Sequence, residues 1–416
     1  MSGAQRILVV SHGHPDFSLG GGEIAAYRLF TGYRANPQVE AAWFLGRVDR
    51  RKGWPTGQIS LRREDEYLWD QAVHDWHLMT AVHTDSVTGR FAELLRALRP
   101  TVVHVHHYAH LGLEFLALIK RVDPSIRIVL TLHEYMAICR QNGQMVKART
   151  GELCRRSGFD DCNRCFPETS AEGFWMRKQR FSEYFALVDR FVAPSEFLRQ
   201  RYIDWGLDPA RIVMLENGQE DAATLPPRPL AEGSGRVRFG FFGQVSAFKG
   251  IDVLLKALAL LPRGNRAGVQ VDINCAHLEQ QTPELQAHLK ELAEPLIRQG
   301  LLHWAGPYAP GEQASRMAGV DWVIVPSIWW ENSPMIIQEA FVFGRPVICA
   351  NIGGMAEKVR HGIDGLHFQV GNPHHLAETL LECAGSTTLW ETLASGIRRP
   401  PTVAESTAEH LALLEG

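Results

Sequence analysis

The chain alternates short apolar runs with longer amphipathic stretches, and it does so twice. The first half holds RILVVS (6–11), AAWFLG (41–46), TVVHVHH (101–107), IRIVLTLH (126–133), RFVAPS (190–195) and RIVML (211–215). The second holds VRFGFFG (237–243), VQVDINCA (269–276), LLHWAG (301–306), DWVIVPS (321–327) and RPVICAN (345–351). Strands apolar on both faces, separated by helical patterns, belong to parallel sheets covered by helices on both sides. Between the halves, NGQEDAATLPPRPLAEGSGR (217–236) is rich in Pro, Gly and small polar residues and reads as a boundary. The expected fold class is α/β, with two Rossmann-like domains, 1–220 and 221–404, whose parallel sheets face across a cleft. Ligands in such folds bind at the carboxyl ends of the strands. RRPPTVAEST (398–407) reads as a second linker that frees a C-terminal helix, 405–416, to pack back on the first domain. A length of 416 residues asks for two cores in any case.

Charge narrows the partners. The chain carries 43 basic and 46 acidic residues, a net charge of −3, and neither half is strongly basic. Nucleic acid is excluded as a partner on that ground, because phosphate-backbone affinity needs clustered positive charge. The start, MSGAQRILVVSHGH, reads as a first strand rather than a signal peptide, and no apolar run approaches the roughly 18 residues that span a bilayer. The expected location is the cytoplasm.

Two motifs stand at strand ends in the second half. VRFGFFG runs into QVSAFKGIDVLLKAL: Gly243 permits a tight backbone path, and Lys249 stands just before a helix, suited to a diphosphate. An ordinary surface lysine fits the same pattern. DWVIVPS runs into WWENSPMIIQEA (329–340), with glutamates eight positions apart. In one continuous helix they would lie about 80° apart, on different faces. The pattern resolves if Ser333 caps a helix that begins at Pro334, with Glu331 in the loop before it and Glu339 inside it. Two carboxylates then flank free backbone N–H groups, a layout suited to a sugar nucleotide.

These motifs resemble the retaining glycosyltransferases of family 4. FFGQVSAFKG and PSIWWENSPMIIQEAFVFGRPVICANIGGMAEKVRHGIDGLHF are similar to that family's C-terminal domain. GGGE (20–23), VHVHHYAHLG (103–112), TLHEY (131–135) and VMLENG (213–218) extend the resemblance to the first domain. The resemblance implies the GT-B fold, a nucleoside-diphosphate sugar as donor and a saccharide or lipid-linked acceptor. By position, Lys249 would bind the donor diphosphate, Glu331 the sugar hydroxyls and Glu339 the ribose, with Ser333, Pro334, Met335 and Ile336 forming the phosphate-binding helix start. Gly243 and Gln244 would form the phosphate loop, and Gly20, Gly21 and Gly22 a loop near diphosphate and acceptor. His133 would contact the donor sugar, making His133, Glu331 and Lys249 the catalytic set. The family usually has Arg where this chain has Gln244, which removes one charge-assisted phosphate contact. There is no Asp-x-Asp motif, so no divalent cation is expected at the diphosphate. Transfer would proceed with retention by front-face attack, in cell-surface polysaccharide or glycolipid assembly. A sugar-nucleotide epimerase, or a degenerate transferase kept as a binding scaffold, fits the same architecture.

The remaining features are less specific. Cys139, Cys154, Cys162 and Cys165 match the ligand count of a structural tetrahedral site, with zinc expected and an iron–sulfur cluster as competitor. A cysteine insertion of this kind is familiar from a subset of the family. His104, His106, His107 and His110 alternate faces along a strand and do not suggest a second metal. EGFWMRKQRFSEYFALVDR (172–190) fits a helix with aromatics inward and Arg177, Lys178 and Arg180 in water, or one lying on an anionic membrane at the inner face of the cell. Trp69 and Trp76 suit either core or acceptor contact.

Overall fold

The computed structural model describes residues 5–18, 20–48, 55–230, 234–262 and 268–415. They fall into two compact units, Met1–Gly218 with Pro401–Gly416, and Gln219–Pro400.

The first unit is built on an eight-stranded sheet. Its strands are β1 (Gln5–Ser11), β2 (Val39–Val48), β3 (Ile59–Arg63), β4 (Glu66–Asp70), β7 (Val102–Val105), β8 (Arg127–Thr131), β9 (Arg190–Ala193) and β10 (Ile212–Met214). A small hairpin, β5 (Val73–Asp75) and β6 (Thr80–Ala81), stands apart. The order is β10-β9-β8-β7-β1-β2-β4-β3, parallel except that β3 runs antiparallel to β4. The central β1 pairs Ile7–Val10 with Val102–Val105 on one side and Ala42–Leu45 on the other, which is why these four side chains are apolar and fully buried. The β3–β4 hairpin is an element the sequence reading omits: Ile59–Arg63 is only five residues long and mostly exposed, and its two apolar side chains, Ile59 and Leu61, make too short a signal to mark a strand. Trp69 on β4 resolves to core, stacked on Phe91 with its indole N–H on Ser86. Trp76 instead donates to Asn142 in the cysteine insertion.

Two helices matter most for this unit. Val403–Glu415 lies on the Gly21–Ala35 helix, where Leu411 and Leu414 join Leu29, Phe30 and Tyr33 in one core cluster. Ala171–Ala186 turns Phe174, Phe181 and Phe185 inward. Arg177, expected in water, is buried instead. It caps the backbone carbonyls of His77 and Met136 and lies over the Phe181 ring, so its charge is spent inside the fold.

The second unit carries six parallel strands: β11 (Arg238–Gln244), β12 (Gln270–Ala276), β13 (Leu302–Trp304), β14 (Trp322–Val325), β15 (Val347–Ala350) and β16 (Gly365–Phe368), in the order β13-β12-β11-β14-β15-β16. The Pro-rich stretch read as a linker is fastened to this unit. Buried Asp321 pairs with Arg228 at 2.8 Å and Arg236 at 3.2 Å, and buried Arg345 donates to the carbonyl of Pro226 at 2.9 Å.

Candidate functional site

In the second unit, β11 and β14 are neighbours, and the segments leaving their carboxyl ends carry the predicted donor residues. Lys249 precedes the Ile251–Leu260 helix, and its Nζ lies 2.6 Å from Glu331 Oε1. Ser327 donates to the same carboxylate oxygen at 2.8 Å. Burial by itself would push the Glu331 carboxyl up, but the Lys249 ammonium and the hydrogen bonds it receives hold it below the usual carboxylate range. Glu331 is 6% exposed, whereas Glu339 is half-buried and accepts from Gln313 at 2.6 Å. The two carboxylates therefore stand in different environments, as the sequence layout requires. Glu331 and Lys249 are joined directly, a pairing their separation of 82 residues conceals.

The helix carrying Glu339 runs Met335–Val342, one residue later than expected. Pro334 is its N-cap, in extended conformation, and Ser333 does not cap it. Tertiary packing overrides the local signal here. Gly354 N–H donates to Glu331 O at 2.8 Å, and a Cβ on Gly354 would meet Asn332 O at 1.6 Å, so the 331–332 backbone is drawn against the Gly353–Lys358 helix. Ser333 Oγ is left buried without a hydrogen-bond partner, beside the free N–H groups of a helix start. Gly250, at φ +68°, lets the neighbouring helix begin against Pro326 O, which a Cβ would meet at 1.9 Å. Gln244 ends β11 exposed, with no charge to offer a phosphate.

In the first unit, Gly20 caps the Gly21–Ala35 helix. A Cβ at Gly22 would lie 3.5 Å from both His12 and His133, so these rings border the glycine turn. Two participants were missed by sequence reasoning. Glu23 folds back under the loop, accepting from Ser18 at 2.5 Å and facing His12 Nε2 at 3.5 Å. Gly13 and Gly20 make room for it, since a Cβ on either would strike its side chain. From sequence it reads only as an acid in a first helical turn. His12 follows β1 directly, and its position at a strand end was the available signal.

His133 follows β8, and its ring nitrogen Nε2 lies 3.0 Å from Nδ1 of His106. Burial, with His12 and His410 nearby, pushes its pKa down to about 3, so it is neutral at physiological pH. The adjoining Glu134 is pushed up to about 8 by burial, and His107 stands 3.6 Å from it.

The expected metal clip would draw on the thiols of the cysteine insertion. Cys154 feels Cys165, and Cys139 feels both Cys154 and Cys162, so the thiols share a neighbourhood. Yet among the described residues no three His, Cys, Asp or Glu side chains are gathered to hold a metal. Cys154 Sγ donates to Arg156 O at 3.2 Å, and Cys165 Sγ accepts from Ala148 N–H at 3.1 Å. Burial pushes the Cys139 thiol up to about 11. Neither zinc nor a cluster is supported by this arrangement.

Comparison with known proteins meets this geometry from outside. Residues 236–385 match the family model for glycosyl transferases group 1, and residues 79–221 match that for glycosyltransferase family 4. A D-inositol 3-phosphate glycosyltransferase of Salinispora arenicola is 29% identical over 229 residues, 51% of this chain and 51% of that protein. One of Pseudarthrobacter chlorophenolicus is 24% identical over 291 residues, 67% of this chain and 60% of its own. The chain thus spans about half the length of the curated relatives it matches. Among solved structures, Anabaena HepE in complex with UDP and glucose superimposes with a TM-score of 0.64 at 17% identity, over 99% of both chains. Sucrose-phosphate synthase of Thermosynechococcus elongatus gives 0.66 at 15%, over 99% of this chain and 98% of that one. At such identities the likeness speaks for the fold alone, which is GT-B. With one glycosyltransferase model falling on each unit, the chain belongs to the family 4, group 1 glycosyltransferases.

Proposed function

We propose that the protein is a retaining glycosyltransferase that moves a sugar from a nucleoside diphosphate to an acceptor hydroxyl. One observation carries this reading: the Lys249–Glu331 pair stands beside a helix start at which Ser333 keeps a buried, unpartnered hydroxyl. Lys249 and the N–H groups of Met335 and Ile336 receive the diphosphate, Glu331 holds sugar hydroxyls and Glu339 the ribose. The departing diphosphate is stabilised by fixed charge and dipoles, without a divalent cation. The acceptor attacks from the leaving-group face, and no carboxylate serves as a covalent nucleophile. His133 orients the sugar as a neutral imidazole.

HepE was solved with UDP and glucose, which makes UDP-sugars the first donors to try. The acceptor panel takes in saccharides, lipid-linked glycans and, after the relatives' own name, D-inositol 3-phosphate. The setting is the cytoplasm, in polysaccharide or glycolipid assembly. Trp175 and Met176, 51% and 55% exposed near Lys178, suit contact with an anionic membrane.

Thermal unfolding with UDP, GDP, ADP and dTDP, run beside Lys249→Ala, tests the reading. A nucleotide at 100 times its Kd stabilises by about 2.7 kcal/mol. One nucleotide is expected to raise the melting temperature, with the shift lost in the variant and unchanged by EDTA. No shift with any of them would overturn the donor site.

A further inference from the structure

We propose that His106 is a positioning residue for His133, fixing it as the tautomer protonated on Nδ1 so that it presents a hydrogen-bond donor to the sugar. The role of that donor rests on the glycosyltransferase reading; the tautomer does not. His106 leaves the end of β7 and His133 the end of β8, and these strands are neighbours. The rings stack at 23° with centroids 5.3 Å apart, and Nδ1 of His106 meets Nε2 of His133 at 3.0 Å.

Both rings are neutral at physiological pH, because burial lowers both. Each then has one N–H and one lone pair, and their shared bond forces complementary choices. His106 decides the outcome. It is 2% exposed, and its other nitrogen, Nε2, has no hydrogen-bond partner. A buried bare lone pair is tolerated better than a buried orphan N–H. His106 therefore keeps its proton on Nδ1 and donates it to Nε2 of His133. The half-buried His133 ring is left with Nδ1–H as its free group.

The groups facing the pair keep it from charging or turning. His104 packs on His106 at 4.5 Å between ring centroids, and is itself pinned by Tyr33 at 3.0 Å and Thr131 at 2.7 Å. His12, which faces Glu23, and His410, from the C-terminal helix, bear on His133 electrostatically. His410 is oriented by its Nδ1–H on Ser406 O at 2.7 Å.

The test is long-range proton–nitrogen NMR on ligand-free, histidine-labelled full-length protein. In the wild type between pH 6 and 8, His133 is expected as the Nδ1–H form alone, the tautomer that free imidazole disfavours. His106→Phe keeps the ring and removes the donor, so His133 should shift toward Nε2–H. His106→Asn, whose amide N–H reaches the same place, should restore Nδ1–H. A wild-type His133 protonated on Nε2, or one on Nδ1 in all three proteins, overturns the proposal. If His106→Phe does not fold, the wild-type spectrum still decides. With the donor sugar identified, His106→Phe should raise its KM about tenfold, the worth of one hydrogen bond, and leave the affinity for the free nucleotide unchanged. A loss of both together would mark a structural role only. Because the spectra need no substrate, they stand whether or not glycosyl transfer is found.

Discussion

Ser333 separates two ideas about what its loop is for. A serine before a helix is ordinarily there to cap it, and removing such a cap costs about 1 kcal/mol of stability. Here the hydroxyl caps nothing and lies buried without a partner, which is itself a desolvation cost. Ser333→Ala should therefore leave the melting temperature of the ligand-free protein unchanged or slightly raised. The same variant should weaken nucleoside-diphosphate affinity by about five- to tenfold, one hydrogen bond's worth. Calorimetric titration beside a melting curve reads both quantities. A fall in stability with unaltered affinity would return Ser333 to the capping role. At this scale the residue types at the site were legible in the sequence, because Lys249, Glu331 and Glu339 sit at strand ends in a readable register. The direct contact of Lys249 with Glu331 was not, since nothing local reports a partner 82 residues away.

Elements were legible in proportion to how much of their environment is local. Strands such as β1 and β11, buried on both faces, announce themselves by continuous apolar runs. The β3 strand, mostly polar and exposed at the sheet edge, has no such signature. The Met335–Val342 helix was found but started one residue early, because its first turn answers to the Gly353–Lys358 helix rather than to its own capping residues. That packing makes a prediction about the two elements together. Gly354→Ala places a Cβ 1.6 Å from Asn332 O, a backbone atom that cannot yield without moving the 331–332 peptide. The substitution should cost on the order of 2–4 kcal/mol, in the range for overpacking a close backbone approach. It should also abolish nucleotide binding by displacing Glu331. Gly385→Ala is the control for adding a methyl group alone: like Gly354 it lies in a helix without a left-handed φ, and no atom lies within 4 Å of the added Cβ. If Gly354→Ala behaves like Gly385→Ala, the close approach does not position the loop.

The two units differ in how they should answer acid, and the difference comes from histidine placement. The first unit buries His104, His106, His107 and His410, and burial holds all four, with His133, well below the ordinary histidine value. Most were visible in the sequence as VHVHHYAH, but the strand ends at Val105, so only His104 lies within it, and His106 packs against His104 rather than on the opposite face. Their collective burial was not visible, because it depends on β8 and on the C-terminal helix arriving from 300 residues away. In the second unit, by contrast, His367 is the histidine whose pKa burial lowers among those described. The sign of the effect follows from linkage. Above pH 6.5 the histidines are neutral in both folded and unfolded chains and stability does not depend on them. As pH falls below 6.5 the unfolded chain binds protons that the folded unit refuses, down to the folded values of about 3 for His133 and about 4 for His410. Each such group removes at most about 1.4 kcal/mol per pH unit, so several acting together outrun the margin of an ordinary domain. Hydrogen exchange resolved by peptide, corrected for intrinsic rates, should show the first unit losing protection between pH 6 and 4.5 while β11–β15 of the second keeps it. His104→Asn, with one titrating group fewer, should shift that loss to lower pH if it folds at all. Equal loss in both units would mean that the buried histidines do not govern acid stability, whatever their environment suggests.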